Sequence, residues 1–124
     1  MTTTILLSIK PQFVDKILSG EKMFEFRKTL PAQRVDKILI YSSYPVCAVV
    51  GEVEVLSIIS TSPKKLWEET KNQSGIDSEF FFKYFAGKDT AYAYKLGKIT
   101  KYPIAKRLSD FGVKCAPQSF VYIK

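Results

Sequence analysis

The sequence contains no histidine in its 124 residues. Histidine is the commonest metal ligand and the usual general base near neutral pH, so its absence disfavours the familiar metal centres and acid–base catalysts. We therefore expect neither a metal nor a cofactor. Any catalysis would have to use lysine, acidic, tyrosine, hydroxyl or thiol side chains.

Cysteine is scarce as well, since only Cys47 and Cys115 are present. Nothing in their spacing indicates a disulfide. In a reducing compartment, unpaired cysteines are usually small, buried, apolar side chains. We expect two free and buried thiols.

Long apolar runs are also missing. None approaches the roughly 20 residues needed to cross a bilayer, and residues 1–7 lack the basic region and apolar core of a secretory signal. These features predict a cytoplasmic protein without membrane contact. The length, with 46% apolar and 25% charged residues, predicts a single domain over residues 1–124.

The net charge of +7 lies in the last third of the chain. Residues 1–82 carry ten basic and ten acidic side chains, whereas residues 83–124 carry nine Lys or Arg against Asp89 and Asp110. Such a one-sided basic excess suits a polyanionic partner such as nucleic acid. The alternative is a lysine-rich surface that only solvates the protein.

Local patterns in the first 27 residues predict a strand, a helix and a second strand. Residues 5–9 are apolar and rich in β-branched side chains, which favours a buried strand. Apolar residues at helical spacing predict a helix over 11–19, which Gly20 ends in the left-handed conformation. From residue 22 the period changes to two, so Phe24 and Phe26 should face the core.

The remaining segments predict strands over 37–43, 46–55, 90–96 and 119–123, and helices over 63–72 and 79–85. Gly51 favours a bulge or sharp bend. Residues 98–102 either continue the strand before them or form its hairpin partner, and Pro103 should interrupt that strand. Residues 105–111 should form a short helix or helical turn ending at Gly112. The aromatic residues over 80–85 are interpreted as core packing rather than as a ligand cage.

The order of these elements does not alternate strictly between strand and helix, as a parallel α/β fold would. We therefore predict an α+β fold, a small mixed or antiparallel β-barrel with flanking helices.

The segment from Gly20 to Arg27 combines a turn with charges of both signs. Lys22, Glu25 and Arg27 could form a surface ion pair of little energetic value. They could instead form a pocket, because a guanidinium and an ammonium bind phosphate or a base edge. Strict alternation puts Lys22 on the face opposite the other two, so the three converge only if Lys22 lies in a turn or at a bulge.

These residues resemble the signature of the ASCH family of the PUA-like superfamily, G-x-K-x-x-E-x-R, through Gly20, Lys22, Glu25 and Arg27. Segments along nearly the whole chain resemble the family as well, at 40–45, 50–53, 62–67 and 91–93. The resemblance implies a small PUA-like β-barrel with a cleft lined by the motif.

The resemblance also implies a nucleic-acid partner, with RNA favoured over DNA. In this interpretation Lys22 and Arg27 contact phosphate or a base, and Glu25 orients a cation or accepts a hydrogen bond from the ligand. Gly20 is the structural member of the motif.

Two further regions would complete such an interface. Ser42, Ser43 and Tyr44, at a strand end, are weaker candidates for the rim of the cleft. The basic segment 83–124 would supply phosphate contacts if it folds beside the cleft.

Some relatives of the family are enzymes, so the resemblance also allows a catalytic function. One bacterial branch hydrolyses acetylcytidine with the motif lysine, a threonine three positions later and a downstream glutamate. Here Lys22 matches, but Glu25 occupies the threonine position, and a carboxylate does not simply replace an activated hydroxyl. A ribonuclease activity, with Lys22 and Arg27 stabilising a pentavalent phosphate, is the other enzymatic reading. Binding is favoured, and in an enzyme Lys22 and Glu25 would be the catalytic residues.

A third hypothesis is a protein-interaction module that uses exposed aromatic side chains. Tyr92, Tyr94 and Tyr102 are its candidates, although tyrosines in strands are usually half-buried packing residues.

Overall fold

Six strands form one curled sheet in the computed structural model, which describes residues 2–124. The strands are β1 (Thr4–Ile9), β2 (Phe24–Arg27), β3 (Lys37–Ser42), β4 (Ala48–Thr61), β5 (Ala91–Lys106) and β6 (Phe120–Ile123). The helices are α1 (Pro11–Ser19), α2 (Pro63–Thr70) and α3 (Ser78–Tyr84), with short 3-10 helices at Lys71–Gln73 and Leu108–Phe111. This is the predicted α+β class.

The sheet is mixed, with the strand order β2-β5-β4-β3-β1-β6. β1 and β3 run parallel, because α1 and β2 carry the chain from the end of β1 back to the start of β3. The pairs β1–β6, β2–β5, β3–β4 and β4–β5 are antiparallel. The predicted mixed barrel is therefore confirmed as a curled half-barrel.

The curl brings β2, at one edge of the sheet, back towards β1 near the other edge. The guanidinium of Arg27 in β2 donates to the carbonyl oxygen of Ser8 in β1 at 3.0 Å. Since β2 and β1 are separated by three strands in the sheet order, this bond spans the gap across which a full barrel would close.

Apolar side chains fill both regions where helices meet the sheet. One cluster joins α1 to β1 and β3, and its buried members include Ile5, Val14, Ile17 and Ile40. A second cluster joins β2 to α2 and α3 through Phe24, Phe26, Leu66, Phe81 and Phe85. The predicted core face of the segment after Lys22 is thus confirmed.

Strands β4 and β5 are longer than predicted, and β5 continues through Pro103 to Lys106. The prediction that Pro103 interrupts the strand is wrong, and residues 98–102 continue the strand before them. The pairing of β5 with β4 shifts register at this point, since Gly51 pairs with Lys101 and Val49 with Lys106. A proline costs little there because the ladder of hydrogen bonds is already irregular.

Local signals located the helix ends well. α1 begins at Pro11 and ends at Gly20, which adopts the left-handed conformation with φ of 87°. Asp77 caps α3 by accepting from the backbone N–H of Phe80 at 2.8 Å. The short helix or helical turn predicted over 105–111 is a 3-10 helix at Leu108–Phe111, followed by Gly112 with φ of 74°.

Both cysteines are free, as predicted, but both are exposed, so the prediction of burial is wrong. Cys47 lies in the turn between β3 and β4, with φ of 54°, and Cys115 lies in the loop before β6. Such connections run over the surface, which overrides the apolar preference of a thiol. Among the helices of residues 2–124, none has the length and apolar character that a membrane span requires.

Gly51 permits the close approach of β4 and β5. A Cβ atom at Gly51 would lie 2.6 Å from the carbonyl oxygen of Thr100, whereas a Cβ at Gly97, also in a strand, would meet only side-chain atoms of the exposed Leu56 at 2.8 Å. We expect Gly51→Ala to lower the free energy of unfolding by about 1–3 kcal/mol, because the backbone must shift. Urea denaturation measures the change.

Gly97→Ala is the matched control, and it should have little effect because Leu56 can rotate away. Equal losses in the two variants would show that the Thr100 contact is not the constraint.

Candidate functional site

A cleft of about 180 Å³ opens where the end of β1, the start of α1, the Gly20–Arg27 segment and α3 meet. Its charged lining residues are Lys10, Lys22, Glu25 and Arg27. All three charged residues of the sequence motif therefore reach the same opening.

Lys22 reaches the cleft because it lies in the turn before β2 rather than in the strand. Gly20 reverses the chain after α1, and the backbone N–H of Lys22 then donates to the carbonyl oxygen of Lys16 at 3.0 Å. The alternation that would separate Lys22 from Glu25 and Arg27 begins only with β2. The turn alternative that the sequence left open is the one observed.

The ammonium of Lys22 is almost completely buried, with 2% of the residue exposed. Its Nζ donates to the carbonyl oxygen of Ser74 at 2.7 Å and lies 4.6 Å from the centre of the Phe26 ring. Burial lowers the pKa of Lys22 to about 8, although the charge of Glu25 opposes this shift. Lys22 is thus a buried cation that gives up its proton far more readily than a surface lysine.

The loop after α2 closes over the stem of Lys22. A Cβ atom at Gly75 would lie 2.6 Å from Cβ of Lys22, and Gly75 has φ of 72°, so a side chain is excluded on both grounds. The sequence does not identify Ser74 or Gly75 as neighbours of Lys22. Gly75 lies two residues before Asp77, the N-cap of α3, and this local position does not indicate a contact with Lys22.

Arg27 and Glu25 form a tight and largely buried pair. Both Nε and Nη2 of Arg27 approach Oε2 of Glu25, at 3.0 Å and 2.8 Å, and Nη2 also donates to the carbonyl oxygen of Ser8. The Arg27 guanidinium is therefore already engaged on two sides. Within residues 2–124, Oε1 of Glu25 accepts no hydrogen bond, which leaves it free for a ligand.

Aromatic rings form the apolar walls of the cleft. Phe13 of α1 meets Phe80 of α3 edge to face, with ring centres 5.3 Å apart, and Tyr84 lies one turn after Phe80. The interpretation of the aromatic segment as core holds for the buried Phe81 and Phe85. Tyr84 packs against this core cluster and also lines the cleft, whereas the interpretation is wrong for Phe80, which is exposed and lines the cleft.

The three residues predicted for the rim of the cleft, Ser42, Ser43 and Tyr44, are not among its lining residues. Ser42 is buried at the end of β3, Ser43 is half-buried, and Tyr44 is 83% exposed. The backbone N–H of Ser43 donates to the carbonyl oxygen of Ile9, a lining residue, at 2.9 Å. None of the basic residues of 83–124, a segment the structure describes throughout, lines the cleft.

The three tyrosines considered for protein interaction do not form an exposed set. Tyr94 is buried, and burial raises its pKa to about 12. The prediction that Tyr94 is an exposed interaction residue is therefore wrong. Tyr92 and Tyr102 are half-buried, and the hydroxyl of Tyr102 donates to Glu52 at 3.0 Å.

The chain matches the model of the ASCH domain over residues 7–105. It belongs to the ASCH domain family. The crystal structure of ASCH from Zymomonas mobilis has the same fold, with a TM-score of 0.89 and 25% sequence identity, and the match covers 98% of this chain and 87% of that one.

Two curated relatives extend the comparison. An ASCH domain-containing ribonuclease from Zymomonas mobilis is 29% identical over 92 residues, which cover 73% of this chain and 62% of the relative. The large ribosomal subunit protein uL22 of Ureaplasma parvum is 32% identical over 124 residues, 99% of this chain. The chain spans only 40% of the length of that uL22 protein.

The lowered pKa of Lys22 makes a prediction about stability. Between about pH 8 and the ordinary value of 10.5, the unfolded chain binds a proton that the folded protein has released, so stability rises with pH. From about pH 8 to about pH 9.5, the free energy of unfolding of the wild type should gain about 1.5 kcal/mol relative to Lys22→Met.

Urea denaturation of both proteins across this range measures the gain. Tyrosine ionisation affects both proteins alike and cancels in the difference. Parallel pH profiles would show that Lys22 titrates as an ordinary surface lysine.

Proposed function

We propose that this ASCH domain binds RNA and that its cleft holds one unpaired base. The observation that carries the proposal is the convergence of Lys22, Glu25 and Arg27 in one cleft with aromatic walls. The relative named as a ribonuclease supports RNA as the partner.

The charges of the cleft favour a base over a phosphate. A phosphate beside Lys22 would face the carboxylate of Glu25, which repels it. A base edge offers an acceptor for the Lys22 ammonium and a donor for the free Oε1 of Glu25. Unstacked bases in RNA are commonly held against aromatic side chains, a role that Phe13, Phe80 and Tyr84 are placed to serve.

The size of the cleft agrees with this ligand. Sites for drug-sized molecules usually measure about 300–1,000 Å³, so a cleft of about 180 Å³ suits a single small planar group. In this proposal Arg27 does not contact phosphate. It positions Glu25 and closes the wall at Ser8.

Binding to single-stranded and structured RNA at low salt tests the proposal. We expect Lys22→Met to weaken binding about tenfold or more, because a hydrogen bond to a charged group contributes about 1.5–3 kcal/mol. Fluorescence anisotropy with labelled RNA gives the dissociation constants, and binding should weaken as salt rises.

Lys64→Ala, a change at an exposed lysine of α2 outside the cleft, is the control for charge alone. Wild-type affinity in Lys22→Met would refute the site, and a lack of any RNA binding by the wild type would refute the function.

RNA cleavage is a second candidate function, and two observations favour it. A relative is named a ribonuclease, and burial lowers the pKa of Lys22 to about 8, close to the value at which a general acid works best near neutral pH. The 2′-hydroxyl of the RNA would attack the adjacent phosphorus and lose its proton to the Glu25 carboxylate, while the bond from phosphorus to the 5′-oxygen breaks and Lys22 donates its proton to that oxygen. Acetylcytidine hydrolysis has weaker support, because Glu25 occupies the threonine position and is engaged by Arg27.

Lys22→Arg separates cleavage from binding. Arginine keeps the positive charge but does not release a proton near neutral pH, so RNA should still bind while cleavage is lost. Wild-type cleavage should fall as pH rises above about 8, where Lys22 loses its proton. Gel analysis of labelled RNA measures both effects, and turnover that persists in Lys22→Arg would exclude Lys22 as the acid.

A further inference from the structure

A second opening, of about 590 Å³, lies where the chain enters β4 and leaves β5. We call it the basic depression, and its lining residues are Cys47, Arg107, Leu108, Ser109, Gly112, Val113 and Lys114. Among the described residues that line it, none is acidic, and two carry a positive charge.

Two hydrogen-bonded connections join the basic depression to the cleft wall. Ser8, which lines the cleft, donates its hydroxyl to the carbonyl oxygen of Pro117 at 2.6 Å, and Pro117 follows shortly after Lys114. Ile9, also in the cleft lining, accepts from the backbone N–H of Ser43 at the start of the turn that leads to Cys47. The two chain segments that line the depression are thus each tied, a few residues away in sequence, to the end of β1.

The exposed aromatic ring of Tyr44 belongs to the turn that connects Ser43 to Cys47. Tyr44 is 83% exposed, and its turn is closed by a hydrogen bond from the backbone N–H of Val46 to the carbonyl oxygen of Ser43 at 3.1 Å. Surfaces that bind single-stranded nucleic acid combine a positive groove for the backbone with rings on which bases stack. Tyr44 and the basic depression together have this composition.

The cations of this region are accessible. The side chain of Arg107 is 85% exposed, and its nearest approach to Asp110 is a long 4.0 Å. Asp110 instead accepts from the backbone N–H of Arg107 at 2.9 Å. Lys106 lies against the Tyr102 ring, 4.5 Å from its centre. With Lys114, the region carries three positive charges, against the carboxylates of Asp110 and of Glu52, which lies near Lys106.

We propose that the basic depression is a second RNA subsite, which holds the sugar-phosphate backbone of the strand whose unpaired base occupies the cleft. Tyr44 stacks with a neighbouring base between the two subsites. This inference rests on the proposed function, and it assigns the phosphate contacts to Arg107 and Lys114 rather than to the motif.

RNA ligands of different lengths distinguish the two subsites, because only a longer strand reaches both. We expect the double variant Arg107→Ala/Lys114→Ala to bind a single-stranded RNA of about 12 nucleotides roughly tenfold more weakly near physiological salt. The slope of log K against log salt should decrease by about 1.4, because each lost phosphate contact removes about 0.7. Its affinity for nucleoside 5′-monophosphates, which reach only the cleft, should be unchanged.

Lys64→Ala/Lys65→Ala is the matched control, since it removes the same charge from exposed positions of α2 that line neither opening. An equal loss in this control, or an unchanged salt slope in the double variant, would refute the inference. So would an equal loss of affinity for the monophosphates. Thermal unfolding verifies that both variants fold.

Tyr44 gives an independent check on the same path. Tyr44→Ala should weaken the binding of the 12-nucleotide RNA, while Tyr44→Phe, which keeps the ring, should restore it. Equal affinities of the two variants would refute the stacking role. If the wild type binds neither the RNA nor the monophosphates, the proposed function fails and this inference fails with it.

Discussion

The guanidinium of Arg27 is the contact on which the geometry of the cleft depends. It binds Glu25 in its own strand and the carbonyl oxygen of Ser8 in the facing strand, so it links two parts of the sheet that the curl brings together. A planar fork can hold two acceptors at fixed directions, which the point charge of a lysine cannot do. Beyond the strand pairing, this side chain links Glu25 to the wall at Ser8.

Lys22 places a charge in the same small space, where water is largely excluded. Burial of an ammonium is unfavourable unless other groups compensate. The carbonyl oxygen of Ser74, the ring of Phe26 and the carboxylate of Glu25 do so here. The fold thus keeps a lysine whose proton is weakly held, at a cost in stability. Under the proposed function, this cost maintains the group that contacts the RNA.

Sequence reasoning succeeded wherever the signal was local. Gly20 ended α1, and the change of period after it placed Phe24 and Phe26 in the core. It failed where distant segments decide the outcome. Ser74 and Gly75 meet Lys22 only in the folded chain, and Pro103 is tolerated because the register of β5 against β4 is irregular. The sequence cannot decide whether Lys22 lies in the turn or in the strand, because alternation alone does not locate the start of a strand.

The exposed thiol of Cys47 offers a direct way to measure occupancy of the basic depression. It lies in the lining of the basic depression, on a turn outside the buried core. A molecule that occupies the depression would cover this sulfur. The rate of alkylation of Cys47 therefore reports whether the depression is occupied.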